Sequence, residues 1–133
     1  MRNINLVILG FITTLFLSCE AMEISKAEIY GAWEQTGYEN ETLVLKRVKA
    51  LSGNEYGFEL LENGTFIENK NAGWCGTPPI SYTKYEGKWT LVSDSIFNIE
   101  VPFWGGDSEF ELIIADIKKD ELQILLKFDS SKN

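Results

Sequence analysis

Apolar and polar side chains alternate through most of the chain from residue 32 onward. The clearest run is 83–91, where aromatic and aliphatic side chains share one face and charged side chains share the other. A period of two is the pattern of a β-strand with one buried and one solvated face. It predicts eight strands, at residues 32–38, 42–48, 55–61, 65–70, 82–92, 95–101, 109–117 and 121–128.

Two irregularities are predicted within this strand pattern. The turn at 62–64 contains an Asn-Gly step, and both residue types tolerate the positive φ of tight hairpins. A two-residue loop would place Glu59 opposite Glu68, an unfavourable like-charge pair, so we expect a three-residue loop with Gly64 as a bulge residue. In the strand at 109–117 the apolar positions change phase, which indicates a β-bulge.

The number and spacing of the strands predict the fold class. Short antiparallel strands in sequence, each with one apolar face, close most economically into a barrel, because closure leaves no open edge. We therefore expect an all-β fold, an eight-stranded antiparallel up-and-down barrel. A two-layer sandwich is the alternative. The only helical pattern after the N-terminal apolar run is a single turn at 25–28.

Residues 1–18 have the features of a lipoprotein signal peptide. A basic N-terminus precedes an apolar run at 4–17, which spans roughly 21 Å as a helix and is too short for a hydrocarbon core of about 30 Å. The run ends in Leu-Phe-Leu-Ser-Cys, which resembles the lipobox of bacterial lipoproteins, with Cys19 as the acylated residue. Ordinary cleavage after Ala21 is the alternative.

This interpretation divides the chain into a signal peptide at 1–18, a tether at 19–28 and one domain at 29–133. Acyl chains on Cys19 would anchor a monomer to a membrane of the cell envelope. The outer membrane is expected, and the domain could lie on either its periplasmic or its surface face. Acylation also leaves Cys75 as a lone cysteine, so no intramolecular disulfide is expected. A buried, inert thiol is favoured over an exposed one.

Charge and composition argue against several functions. The chain has 20 Asp and Glu against 12 Lys and Arg, a formal net charge of −8, so nucleic acid is not an expected partner. It contains no histidine, which is the commonest general base and imidazole metal ligand. Glu109 and Glu111 alternate outward on a strand, which favours a solvated face over a glycosidase pair. We expect no enzymatic activity, no cofactor and no metal.

Four segments together resemble the lipocalin-like lipoproteins of the Bacteroidota. They are Gly31-Ala32-Trp33, Glu62 to Phe66, Gly87-Lys88-Trp89 and the terminal strand Glu121 to Phe128. The resemblance implies a barrel that is closed at the Gly-x-Trp end and holds a small apolar or amphipathic ligand. It also implies a basic side chain on the last strand that stacks on Trp33, for which Lys127 is the candidate. Simple filling of the core is the alternative role of Trp33.

The connections between strands suggest where a binding site lies. Those at 49–54, 71–81 and 102–108 are longer than the others, and an up-and-down order places all of them on one rim, beside the chain termini. Aromatic side chains in such loops are unusual. Trp74, Cys75, Phe103 and Trp104 are therefore the candidate contacts with a ligand or partner, or alternatively a lid over the core. By the lipocalin resemblance this rim would be the plugged end of the barrel.

Two functional hypotheses follow. The first is an envelope lipoprotein whose barrel binds a small apolar or amphipathic ligand, which predicts an internal cavity. The second is a structural or interaction lipoprotein that presents its aromatic loops to an envelope protein, which predicts a filled barrel and an exposed apolar patch.

Overall fold

The alternating segments form β-strands in the computed structural model, which describes residues 26–73 and 81–129, with side chains described from residue 28 onward. One helical turn precedes them. The elements in chain order are α1 (Lys26–Ile29), β1 (Gly31–Glu39), β2 (Thr42–Val48), β3 (Gly57–Leu60), β4 (Thr65–Asn71), β5 (Tyr82–Ser93), β6 (Ile96–Phe103), β7 (Gly106–Ile117) and β8 (Glu121–Phe128).

The strands close into one antiparallel barrel of eight strands, so the predicted all-β fold class is confirmed. The ring runs β1-β2-β8-β7-β6-β5-β4-β3, and β3 then pairs with β1. From β3 to β8 each strand lies beside the next one along the chain, as in an up-and-down barrel. The first hairpin differs from a strictly sequential order, because β1 rather than β2 is the neighbour of β3.

This exchange of β1 and β2 forces the connection at 49–56 to cross the outside of β1. Trp33 points into the core, so its neighbour Glu34 points outward, beneath the crossing segment. Glu34 is only 7% exposed, and one of its carboxylate oxygens accepts hydrogen bonds from the backbone N–H and the hydroxyl of Ser52, at 3.0 and 2.7 Å. The Asn69 side-chain amide donates to the Glu55 carbonyl at 2.7 Å and holds the other end of the segment.

Apolar side chains fill the half of the barrel where β1 begins, which we call the closed end. The Trp33 ring is fully buried there, and its Nε1 donates a hydrogen bond to the carbonyl of Ile29 at 2.9 Å. This bond attaches α1 to the closed end of the barrel. Trp89 donates in the same way to the carbonyl of Leu61 at 2.7 Å. Buried core residues that surround these two side chains include Leu45, Phe58, Leu60, Phe66, Phe97, Ile99, Leu112, Leu122 and Ile124.

Both predicted irregularities are confirmed. Leu61 N–H bonds the Thr65 carbonyl, so the hairpin loop spans three residues, and Gly64 has a positive φ of 93°. Glu59 therefore lies opposite Ile67 and not opposite Glu68. In β7 the register shifts between Ile114 and Asp116, which leaves the residue between them exposed as a bulge.

The predicted long connection at 102–108 is wrong. β6 and β7 pair as far as Phe103 and Gly106, so only Trp104 and Gly105 form the turn. Because the two strands twist together up to this point, Phe103 and Trp104 are held on a tight hairpin rather than on a loop.

The predicted placement of Phe103 and Trp104 at the plugged rim is also wrong, while residues 74–80 lie outside the described part of the chain. Since β1 pairs with β3, the last residues of β4 and the turn that follows β6 lie at the end where β1 finishes, which we call the far end. The closed end carries α1 and the turns that follow β3, β5 and β7. Trp104 therefore lies at the opposite end of the barrel from Trp33.

Candidate functional site

The barrel wall opens between β5 and β6 toward the far end. Their ladder runs from Ser93 and Ile96 to Lys88 and Glu100 and then stops, while both strands continue for several residues. In this stretch β5 pairs with β4, and β6 pairs with β7. The divergence produces a cavity of about 1510 Å³, which we call the β5–β6 cleft.

Gly87 lies at the point where the two strands diverge. A Cβ atom at this position would lie 2.1 Å from the Glu100 carbonyl oxygen and 2.7 Å from the Val101 Cα. Contacts below 3 Å with backbone atoms are not tolerated, so any other residue here would push β6 away. Glycine therefore allows the strands to touch at the base of the cleft before they separate.

The cleft reaches the barrel interior and has both apolar and charged walls. Its inner apolar lining includes Val101, Phe110 and Leu126. The remaining lining residues are Tyr56, Glu68, Lys70, Asn71, Glu86, Gly87, Lys88, Glu100, Pro102, Phe103, Trp104, Asp107, Ser108, Glu109, Phe128 and Asp129.

A polar cluster lies inside the barrel at the base of this cleft. Glu68 shares the inward face of β4 with Phe66 and is 3% exposed. Its carboxylate lies 2.5 Å from Lys70 Nζ and accepts a 2.7 Å hydrogen bond from the Tyr56 hydroxyl. The same Lys70 ammonium lies 5.3 Å from the centroid of the Tyr85 ring. A buried carboxylate is stable only when such partners compensate its charge, and here the cluster supplies them.

Burial raises the pKa of the Tyr56 phenol well above its ordinary value, and the negative charge of Glu68 raises it further. Ionised Tyr56 would lie against a carboxylate in a poorly solvated site, so the phenol stays protonated across the physiological range. Tyr56 is thus a fixed hydrogen-bond donor at the cleft base. Among the described residues, every buried side-chain nitrogen or oxygen atom has a hydrogen-bond partner.

Aromatic rings form the mouth of the cleft. Phe103 and Trp104 meet edge to face with centroids 5.7 Å apart, and the Trp104 side chain is 51% exposed. Phe128 also lines the mouth and is 61% exposed, and its ring is tilted at 5.0 Å against the buried Phe110 of the inner lining. Rings that remain this exposed contribute little to the core and offer apolar faces to a bound molecule.

The structure brings together two of the predicted contact residues, Phe103 and Trp104, at the cleft mouth. Trp74 and Cys75 lie outside the described residues, as does Cys19. Glu109 and Glu111 flank the inward Phe110 and so point outward, as expected; Glu109 accepts a 3.3 Å hydrogen bond from Asn98.

The predicted stacking of Lys127 on Trp33 is wrong. Lys127 is exposed on the outer face of β8, opposite Glu111 and toward the far end. The guanidinium of Arg47 on β2 lies 4.3 Å from the Trp33 ring centroid instead. It donates to the carbonyls of Tyr30 at 2.8 Å, Lys119 at 3.2 Å and Glu28. Gly31, the first residue of β1, has a φ of 117° and lies against this guanidinium group. A Cβ atom at Gly31 would lie 3.1 Å from Arg47 Nη1.

Two sequence signals would have identified the residues that were missed. Arg47 is the only arginine after the predicted signal peptide, and it alternates with the inward Leu45 on β2. Glu68 and Lys70 alternate with the inward Phe66 on β4. A charged side chain on the apolar face of a strand indicates either a buried ion pair or a binding site.

No protein-family model, curated protein or solved structure matches this chain. The resemblance to lipocalin-like proteins therefore stands on the residues quoted above and on a closed barrel that is compatible with it. In the described part of the chain, no set of three or more Asp, Glu, Cys or His residues is arranged to hold a metal ion. The described residues also include no helix long and apolar enough to cross a membrane.

Proposed function

We propose that this protein is an envelope-anchored lipoprotein that binds a small apolar or amphipathic ligand in the β5–β6 cleft. The observation that carries the proposal is a cavity of about 1510 Å³ that reaches the barrel interior between two diverging strands. Small-molecule sites are concave and mostly apolar, with a few placed polar groups. Aromatic rings at the mouth and the Glu68–Lys70 pair at the base match that description.

The division of the barrel into two halves supports a binding role. The closed end is filled by buried side chains and by the Trp33 and Arg47 contact, which gives the fold its stability. The far end leaves Phe103, Trp104 and Phe128 with exposed ring surface. A protein selected only for stability would bury such rings, because each one buried contributes about 1.5–3 kcal/mol.

Membrane anchoring is part of the proposal and rests on the sequence at 15–19. Multiple acyl chains on Cys19 would hold the domain at a membrane surface, where amphipathic molecules are concentrated. Intact-mass measurement of the protein extracted from membranes tests this directly. A mass that begins at Cys19 with added acyl chains is expected, and a mass without them contradicts the anchor.

The second candidate function is interaction with an envelope protein. One observation favours it: Tyr38, Trp104 and Phe128 lie toward the same end of the barrel and are 72%, 51% and 61% exposed. Aromatic residues of this kind are enriched at the centres of protein interfaces. This role would use the rim of the far end and would not require an occupied cleft.

Native mass spectrometry of the mature protein released from membranes distinguishes the two functions. The binding proposal predicts a small molecule that co-purifies with the wild type and is lost from the double variant Phe103→Ala, Phe128→Ala. Val92→Ala is the matched control, because Val92 is 58% exposed on β5 and does not line the cleft. Fluorescence titration with the neutral dye Nile red supplies a second readout in case the native ligand dissociates during extraction.

A wild type that carries no small molecule and binds Nile red no better than the double variant contradicts the binding proposal. Recovery of one envelope protein by wild type and not by Trp104→Ala would then favour the interaction role.

A further inference from the structure

We infer that the ligand of the β5–β6 cleft is a cationic amphiphile, a molecule with an ammonium or guanidinium group on an apolar body. This inference rests on the proposed binding function and specifies the chemical class of the ligand. Three properties of the cleft support it: the negative charge of its walls, the ion pairs that its lysine residues already form, and the exposure of its aromatic rings.

Carboxylates outnumber ammonium groups in the lining of the cleft. The described lining contains six carboxylates and two ammonium groups, which gives a formal charge of −4. The acidic residues are Glu68, Glu86, Glu100, Asp107, Glu109 and Asp129, and the basic residues are Lys70 and Lys88. Charges of one sign around a low-dielectric cavity focus the potential inside it, which raises the local concentration of ligands of the opposite sign.

Both ammonium groups among the described lining residues already contact carboxylates. Lys70 lies 2.5 Å from Glu68 at the base, and Lys88 lies 3.0 Å from Glu100 at the rim. An anionic ligand that took Lys70 would leave the buried Glu68 without its counter-ion. Removing one partner of a buried ion pair is strongly unfavourable, so the base of the cleft disfavours anions.

The aromatic side chains at the mouth complement the acidic walls. Trp104 and Phe128 are more than half exposed, and both line the cleft. The face of an aromatic ring carries partial negative charge and attracts cations within about 6 Å, with tryptophan the most effective ring. Lys70 already lies 5.3 Å from the Tyr85 centroid, a cation–ring contact next to the cleft base. Aromatic faces combined with carboxylates select organic cations over neutral or anionic molecules of the same shape.

The test uses three soluble probes that share a 4-phenylbutyl body and differ in the charge of the head group: 4-phenylbutylammonium, 4-phenylbutanol and 5-phenylpentanoate. The mature protein extracted from membranes is placed in phosphatidylcholine nanodiscs, and empty nanodiscs correct for partition into lipid. Dissociation constants are measured by isothermal titration calorimetry at low and at high ionic strength. We expect the cation to bind about tenfold more tightly than the alcohol at low salt, with a smaller ratio at high salt, because salt screens charges at the mouth.

The variant Asp107→Asn, Glu109→Gln removes two carboxylates of the rim without changing side-chain size. We expect it to weaken binding of the cation about fivefold and to leave binding of the alcohol unchanged. The control is Glu62→Gln, Glu121→Gln, which makes the same change in net charge at exposed positions near the closed end, outside the cleft. It is expected to bind all three probes as the wild type does.

The outcomes separate this inference from the binding proposal. Equal or tighter binding of the alcohol or the carboxylate than of the cation overturns the inference and leaves the cleft as a ligand site. An equal loss of cation binding in the rim variant and in the control also overturns it, since the effect is then one of total charge. Binding of none of the three probes contradicts the binding function itself.

Discussion

The guanidinium group of Arg47 lies 4.3 Å from the centre of the Trp33 ring and closes one end of the barrel. Arg47 is on β2 and Trp33 is on β1, at directly paired positions. The same guanidinium bonds carbonyls of the segment before β1 and of the turn before β8. One side chain therefore joins three parts of the chain that are distant in sequence.

Replacing Arg47 should destabilise the fold. The variant Arg47→Met retains an apolar stem above Trp33 and removes the hydrogen bonds to three carbonyl groups. We expect the free energy of unfolding to fall by about 2–4 kcal/mol, because charged donors are lost from a partly buried site. Urea unfolding followed by tryptophan fluorescence measures the change.

Lys127→Met is the control for Arg47→Met. Lys127 is exposed and far from Trp33, so its replacement should change stability by less than about 0.5 kcal/mol. If both variants had equal effects, the stacked arginine would not be a specific support of the closed end.

The Tyr56 and Glu68 contact predicts how stability depends on alkaline pH. Burial, and then the charge of Glu68, raises the pKa of Tyr56 in the folded protein above the ordinary value near 10. Above pH 10 the unfolded chain loses the phenol proton while the folded protein keeps it. The unfolded state then binds fewer protons, and stability falls by up to about 1.4 kcal/mol for each pH unit above 10.

The Tyr56→Phe variant isolates this contribution. It should be less stable than wild type near neutral pH by about 1–3 kcal/mol, because Glu68 loses a hydrogen bond in a buried site. The difference should narrow as the pH rises above 10, since only the wild type has this phenol to ionise. Denaturant unfolding at several pH values measures the free energy of unfolding of the wild type and of the variant. If the difference between them stayed constant above pH 10, the pKa of Tyr56 would not be raised in the folded protein.

Glu34 and Ser52 are expected to be energetically coupled. The carboxylate accepts two hydrogen bonds from Ser52 and holds the crossing segment at 49–56 against β1. Glu34→Ala should destabilise the protein by about 2 kcal/mol and Ser52→Ala by about 1 kcal/mol. In the double variant the losses should be smaller than their sum by at least about 0.5 kcal/mol. Strict additivity in urea unfolding would indicate that the crossing segment is held by other contacts.

Gly87→Ala should disturb the base of the cleft. The added methyl group would lie 2.1 Å from the Glu100 carbonyl oxygen, so β5 and β6 must separate. We expect a loss of about 1–3 kcal/mol in stability and weaker probe binding. Gly37→Ala is the control, because a Cβ there has no atom within 4 Å and the φ is not positive. It should be neutral or stabilising by up to about 1 kcal/mol. Equal effects of the two variants would contradict the role assigned to Gly87.

Much of the local structure was predictable from the sequence. The alternation of apolar and polar residues located the eight strands to within a few residues, because a side-chain period of two requires no information about distant parts of the chain. The bulge near Ala115 and the loop at Gly64 were predictable for the same reason, since phase and turn chemistry are local properties.

The candidate site was predictable only in part. Phe103 and Trp104 were identified from the sequence as contact residues, and the structure places both at the cleft mouth. Glu68 and Lys70 were not identified, although their positions on the inward face of β4 are readable from the alternation. The end of the barrel that carries the aromatic rings was predicted incorrectly, because the prediction assumed that each strand pairs with the next.

The sequence by itself determined the apolar face of most strands, their approximate bounds and the turn at Gly64, and it favoured a closed sheet over a sandwich. Only the tertiary structure decided that β1 pairs with β3, that Arg47 covers Trp33, and that β5 and β6 diverge to form a cleft. Periodicity specifies the face of a strand but not its neighbour. The choice of neighbour depends on contacts such as Glu34 with Ser52, which form only after segments distant in sequence have come together.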